Sequence, residues 1–393
     1  MHDHIGGGSK AGRVSRRGLR AAAGLGAMSL LTAGLVVGTG VAGAQTAHVT
    51  KTVLACEVTD TGGINDHSFN ASAYAGLLAA VAHPPKGTKI VEKHASSQQT
   101  SDYVKYINGF IKDKCNIIVT VGFLMADATW NAAVQNPHVH FAIVDNSNGN
   151  PGNPGDLDPC PGVTCKKSAS NILGLTYDTN QDGFLGGYEA AATSKTHTVA
   201  TYGGEDFSSV TIYMDGYAQG IAYYNAHRKA GSKKVNLLGW NEKTQTGTFI
   251  GSFTDPATAA TDTTNFLNAG ASTVFPVAGG DGLGTTAAVK TWNSSHPSQK
   301  ANVEWVDTSG CVNDPSDCSI FISSVTKGVT PSVKSAVLLQ ASGKFKGGNY
   351  VGTIKNGGAA FIVNPHYSVP KAILNELKVL SVEISKGQLK IKT

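Results

Sequence analysis

The sequence predicts an α/β protein of two lobes, each a doubly wound, mainly parallel sheet, with a ligand cleft between them. Three observations carry this. From residue 51 onward, short apolar runs rich in β-branched residues alternate with longer Ala- and Leu-rich segments of helical period. Asp and Gly residues recur just after the apolar runs: Asp60, Gly122, Asp145, Gly203, Asp255, Gly279, Gly280 and Asp307. A stretch dominated by Asn, Gly, Pro and Asp, residues 146–170, interrupts the alternation and then lets it resume.

In order, residues 53–58 read as a buried strand. Residues 59–70 follow as a glycine loop, and 71–81 as a helix with Ser68 placed to cap it. Residues 89–93 read as a second strand. Residues 100–113 form a helix with Tyr103, Ile107, Phe110 and Ile111 on one face. A strand over 116–121, a helix over 124–135 and a strand over 140–144 complete the first lobe's βα units. The 146–170 loop is the expected first crossing to the second lobe. There, strands are expected at 171–177, 198–202, 234–240, 273–278 and 302–307, with helices at 181–193, 208–228, 256–268 and 284–292. Residues 319–325 then cross back and 331–341 form a helix. Residues 350–354 and 358–363 read as a closing hairpin about the Asn356-Gly357 turn. The expected lobes are 49–147 plus 322–342, and 148–321 plus 343–393.

The 393 residues suffice for two ordinary domains, and a 15% charged fraction with 41% hydrophobic residues fits a core-forming chain. The formal charge of +5 is mostly local. Residues 1–44 hold five basic residues against Asp3, leaving about +1 for the rest, too little for a nucleic-acid footprint. Ser15-Arg16-Arg17 opens a twin-arginine-like signal. An uncharged stretch, 21–44, ends in the small-x-small site Ala42-Gly43-Ala44. Residues 1–44 are therefore read as an export signal, with Gln45 as the first mature residue and an uncleaved anchor as the alternative.

Six cysteines in an exported chain favour disulfides. Cys160 with Cys165 and Cys311 with Cys318 would each close a short loop, and Cys56 with Cys115 would pair across neighbouring strands. A four-thiolate zinc site is the rival; spacings of four and six intervening residues and the export signal count against it.

The loop after the first strand suits a heterocycle or sugar. Asp60 can accept from hydroxyls or ring N–H groups, Asn70 offers a donor and an acceptor, and Phe69 offers a flat apolar face. The plain alternatives are a core Phe, a second capping Asn and an Asp in a turn.

The pattern Asp60-x-Gly62-Gly63-x-x-Asp66-x-Ser68-Phe69-Asn70 resembles the opening signature of the basic membrane protein family. Its members are substrate-binding proteins of ABC importers that bind purine nucleosides. The resemblance continues in order through Gly122-Phe123, residues 141–145, Gly203-Gly204, Gly216-Tyr217-x-x-Gly220, Gly251-Ser252-Phe253-x-Asp255-Pro256, Ala278-Gly279-Gly280-x-Gly282-x-Gly284 and Ser324-x-x-Lys327. It implies a type I periplasmic-binding-protein fold with the base sandwiched between Phe69 and Tyr213. It implies Asp60, Asn70 and Asp127 at the base edge, and Asp255, Gly280, Asp307 and Lys327 around the ribose. Read without the family, Asp255 is a helix cap before Pro256, Tyr213 is core and Lys327 is a surface lysine. Family members are commonly lipoproteins. Here Cys56 lies inside the first strand with no apolar region directly before it, so no clear lipid-anchor cysteine is present.

Residues 178–189, from Asp178 to Glu189, match the twelve-residue calcium-loop pattern, but a strand precedes them and a helix over 181–193 would pull the ligands apart. His83, His94, His138, His140 and His197 are scattered, and no Gly-x-Ser-x-Gly elbow occurs. The expectation is a monomeric, non-enzymatic, extracytoplasmic binding protein without cofactor or nucleic-acid partner, delivering a purine nucleoside to an ABC permease. The alternatives are a solute sensor and a nucleoside-cleaving enzyme.

Overall fold

The computed structural model describes residues 51–148 and 169–392. The first sheet is built from β1 (Lys51–Val58), α1 (Phe69–Ala82), β2 (Thr88–Ala95), α2 (Asp102–Lys112), β3 (Ile117–Val121), α3 (Ala126–Gln135), β4 (His140–Val144) and β5 (Ile172–Tyr177). The second takes α4 (Asn180–Thr193), β6 (Thr198–Gly203), α5 (Ser208–His227), β7 (Asn236–Leu238), the ribbon β8 (Trp240–Asn241) and β9 (Thr246–Gly247), α6 (Pro256–Asn268), β10 (Thr273–Val277), α7 (Gly282–Ser295), β11 (Asn302–Asp307), α8 (Gly310–Asn313) and β12 (Phe321–Lys327). The chain closes with α9 (Val329–Ala341), β13 (Gly348–Gly352), β14 (Ala359–Val363) and α10 (Lys371–Ser385).

The strand orders are β13-β5-β4-β3-β1-β2 and β14-β12-β11-β10-β6-β7. All pairs in these two sheets are parallel except β12 with β14. Read from β2 and from β7, both follow the doubly wound order 2-1-3-4-5, so the strand order reverses beside β1 and beside β6. Ligands of such sheets sit at that reversal, beyond the carboxyl ends of the strands.

The lobe boundaries differ from those expected. β5 pairs with β4, so the 146–170 loop leaves and re-enters the same sheet. The first crossing is the short link at Asp178 and Thr179. β12 lies in the second sheet, so the return crossing comes at Gly328, between β12 and α9. The expected hairpin is absent: β13 pairs with β5 and β14 with β12, and the Asn356-Gly357 turn is a third crossing. The strand expected over 234–240 breaks at Gly239, whose φ is +82° and where a Cβ would lie 2.0 Å from the Thr201 carbonyl. Helix α10 was not anticipated, although Ile373, Leu377, Leu380 and Ile384 recur at helical spacing and the last three are buried.

Each sheet has apolar layers on both faces. β1, β3 and β4 pack α1 and α9 on one side and α2 and α3 on the other. In the second lobe α4 and α5 approach closely: a Cβ at Gly187 would lie 2.0 Å from the Tyr217 carbonyl, and one at Gly220 2.0 Å from that of Phe184. α4 runs as a continuous helix from Asn180 to Thr193 and buries Asp182 and Glu189, so residues 180–189 do not take the loop form that the calcium pattern requires. Cys56 is bonded to Cys115 and Cys311 to Cys318; Cys160, Cys165 and the 1–44 segment lie outside the described residues. No helix among the described residues is long and apolar enough to cross a membrane.

Candidate functional site

The carboxyl ends of both sheets face one cavity enclosing about 620 Å³ of empty space, part of it open to solvent. Asp60, Phe69 and Asn70 from the first loop, Tyr213 from α5, Gly280, Asp307 and Lys327 all line it.

Asp66 shapes the first loop. Its Oδ1 accepts from the backbone N–H of Ser68 (2.9 Å) and Ala71 (3.0 Å), and its Oδ2 from the backbone N–H of Asn70 (2.7 Å). The carboxylate therefore satisfies the first turn of α1, and the Ser68 side chain does not cap it as expected. The Ser68 hydroxyl donates instead toward Asp307 Oδ2 at 3.3 Å, across to the second lobe. Asn70 braces the same loop: Oδ1 accepts from the Asp60 N–H at 2.9 Å, and Nδ2 donates to Asp66 Oδ2 at 3.0 Å.

Asp60 follows β1 at the strand-order reversal. Its Oδ1 accepts from the Tyr103 hydroxyl on α2 and from the Thr61 N–H (2.7 Å). Burial pushes its carboxyl up to about 6; the bonds from Tyr103 and Thr61 work against that, and Glu205 and Asp145 add to it.

Asp145 and Asp307 occupy matching places in the two lobes, after β4 and at the end of β11. Both have left-handed backbone, φ +66° and +64°. Such conformations are uncommon outside glycine and concentrate at functional sites. Between them lies Lys327, the last residue of β12, with Nζ 2.7 Å from Asp145 Oδ2 and 3.5 Å from Asp307 Oδ1. Burial works to lower the Lys327 pKa, but the two carboxylates outweigh it and hold the ammonium charged. The same nitrogen lies 5.0 Å from the Phe69 ring centroid and 5.2 Å from that of Tyr213, within cation–π range of both. The Tyr213 hydroxyl donates to Asp307 Oδ1 at 3.0 Å.

Two expected residues stand apart. Asp255 caps α6, accepting from the Thr258 N–H (3.0 Å) and hydroxyl (2.6 Å), and does not line the cavity. Proline at the next position fixes that helix start, which explains the placement. Asp127 lies in the first turn of α3 and is not in the cavity wall either. Sequence reasoning passed over Asp66, Phe123, Phe207 and Phe253 as site residues and marked Asp145 only as a strand-end residue without a role; all five line the cavity. Phe123 follows β3 and Phe207 precedes α5, and their rings stack across the lobes with centroids 5.0 Å apart. The signal for Asp145 and Phe123 was their position just after a strand.

The arrangement can bind and orient a polar, partly flat solute: carboxylates and a lysine on one side, aromatic faces around them. Among the described residues no three His, Cys, Asp or Glu side chains group as metal ligands do.

Residues 53–391 match the family model described as ABC transporter substrate-binding protein PnrA-like. The ABC transporter nucleoside-binding protein BmpA of Lactococcus lactis is 29% identical over 77% of this chain and 79% of its own length. Basic membrane protein A1 of Borrelia garinii is 26% identical over 82% of this chain and 83% of its own. Among solved structures, an ABC solute-binding protein from Aeropyrum pernix superposes with a TM-score of 0.69 at 20% identity, covering 86% of this chain and 92% of that one. Together with the two doubly wound sheets, these matches make the chain a member of the PnrA-like (Bmp) family of ABC transporter substrate-binding proteins, with a type I periplasmic-binding-protein fold.

Proposed function

We propose that this chain captures a purine nucleoside outside the cell and presents it to an ABC permease. One observation carries the reading: Phe69 and Tyr213, one from each lobe, flank a single buried ammonium that is itself held between two carboxylates. A purine fits the aromatic faces. Ribose hydroxyls fit Asp145, Asp307 and Lys327, because carboxylates accept from vicinal hydroxyls in charge-assisted bonds. Gly280 lets the sugar approach the backbone; a Cβ there would meet nothing closer than 3.5 Å, so the gain is one of room. The acidic wall counts against a phosphorylated ligand. The name of the L. lactis relative supports a nucleoside, and the two disulfides support an oxidising, extracytoplasmic setting.

Micromolar capture requires about 8 kcal/mol, a sum within reach of one aromatic sandwich plus several desolvated hydrogen bonds. Calorimetric titration with nucleosides, free bases, sugars and amino acids tests the proposal. Binding of purine nucleosides with no release of free base on prolonged incubation supports it. Preference for a sugar or amino acid overturns it.

A further inference from the structure

The two oxygens of Asp60 have different surroundings. Oδ1 receives both the Tyr103 hydroxyl and the Thr61 N–H. Among the described residues no hydrogen bond reaches Oδ2. It lies against Gly122, where an added Cβ would stand 2.2 Å from it, and Asp60 and Gly122 both line the cavity. Tyr103 is 2% exposed and belongs to the buried cluster of α2, α3 and the sheet that includes Ile107 and Trp130, so its ring has little freedom to move.

We propose that Tyr103 is a positioning residue: it occupies one oxygen of Asp60 and leaves the cavity-facing oxygen as the only place where the carboxyl exchanges a proton. This rests on the nucleoside reading above. The ionised Oδ2 accepts from a ligand N–H, such as the exocyclic amine of adenosine. Taking a proton from solvent, Oδ2 becomes a donor and faces that amine with a second N–H or O–H. Capture of an amino-bearing purine is then proton-linked, and capture of a purine that offers only ring nitrogens is not weakened by the same proton.

The groups around the carboxyl set where this happens. Tyr103 comes from α2, Glu205 from the loop after β6 and Asp145 from the end of β4. Asp66 stands in the same wall, bonded to backbone and Asn70, and Lys327 is committed to Asp145 and Asp307. Among the described residues no cation is therefore paired with Asp60. Its carboxyl sits at about 6, inside the range an extracytoplasmic protein meets.

The test is titration of adenosine and of purine riboside, which lacks the amine, from pH 5 to 8. The parent, Tyr103→Phe and Asp60→Asn are compared. The expected result for the parent is an adenosine affinity about tenfold weaker at pH 5 than at pH 7.5, as a carboxyl titrating near 6 dictates, with no such loss for purine riboside. Tyr103→Phe removes a bond that lowers the carboxyl's pKa, so its loss of adenosine begins at higher pH. Asp60→Asn gives a flat profile. A flat adenosine profile in the parent, or a Tyr103→Phe profile that superposes on it, overturns the proposal while leaving nucleoside capture standing. Failure of the parent to bind either nucleoside at any pH overturns both.

Discussion

Lys327 Nζ and Asp145 Oδ2 lie 2.7 Å apart with both side chains at least nine-tenths buried, although the two residues end strands of different sheets. The pair joins the lobes at the floor of the cavity, and Asp307 completes it from the second lobe. Removing one partner of a buried ion pair leaves an uncompensated charge, which typically costs 3–5 kcal/mol. Lys327→Met is expected to lower unfolding free energy by about 3 kcal/mol in urea titrations. A variant that unfolds like the parent would show that the pair is replaced by water.

Phe69 lines the cavity and Asp255 does not. Phe69→Ala is expected to weaken nucleoside binding by roughly tenfold or more, about 1.4 kcal/mol. Asp255→Ala removes the cap of α6 and is expected to lower the unfolding midpoint with affinity unchanged, because Asp255 spends both oxygens on Thr258. Calorimetry and thermal melts on the two variants check this. Loss of affinity in Asp255→Ala would return that carboxylate to the binding surface.

Gly122 is held at φ +113°, and a Cβ there would collide with Asp60 Oδ2 at 2.2 Å. Gly122→Ala is expected to cost on the order of 1–3 kcal/mol of stability and to displace Asp60 from the cavity wall. The measurement is affinity at pH 7.5 alongside urea unfolding. Retained adenosine affinity would mean that Asp60 is not needed there.

Glu189 is buried in the second lobe beside Glu304, and burial pushes its carboxyl up to about 8. The folded chain keeps this proton between the ordinary carboxyl value, 4.5, and about 8, whereas the unfolded chain has released it. Stability therefore falls as pH rises through that window, by up to about 1.4 kcal/mol per pH unit. Glu189→Gln carries no proton to lose. Its unfolding free energy is expected to decline less from pH 5 to 8 than the parent's, and to exceed it at pH 8. Parallel declines in the two proteins would exclude this account.

Most strands and helices were legible because each pairs a β-branched run with an Ala-rich segment, and that contrast is local. The lobes were not. The conspicuous 146–170 loop returns to the sheet it left, whereas the true first crossing, Asp178 and Thr179, has no compositional mark. The turn at Asn356-Gly357 has hairpin chemistry, but the next partner of each flanking strand lies in a different sheet, which no local signal encodes. At the site, residues on the loop after β1 and at strand ends were readable by position. The Phe123–Phe207 stack and the Tyr103–Asp60 bond join segments 84 and 43 residues apart and exist only once the lobes and helices pack.

The three crossings also govern how the chain can be made. β5 is an open sheet edge until residues 348–352 arrive to pair with it, and the face of α1 that receives α9 stays bare until after residue 328. A ribosome must therefore release nearly the whole polypeptide before its first half can finish folding. Truncation before residue 348 would leave that half with a sticky border rather than an intact smaller domain.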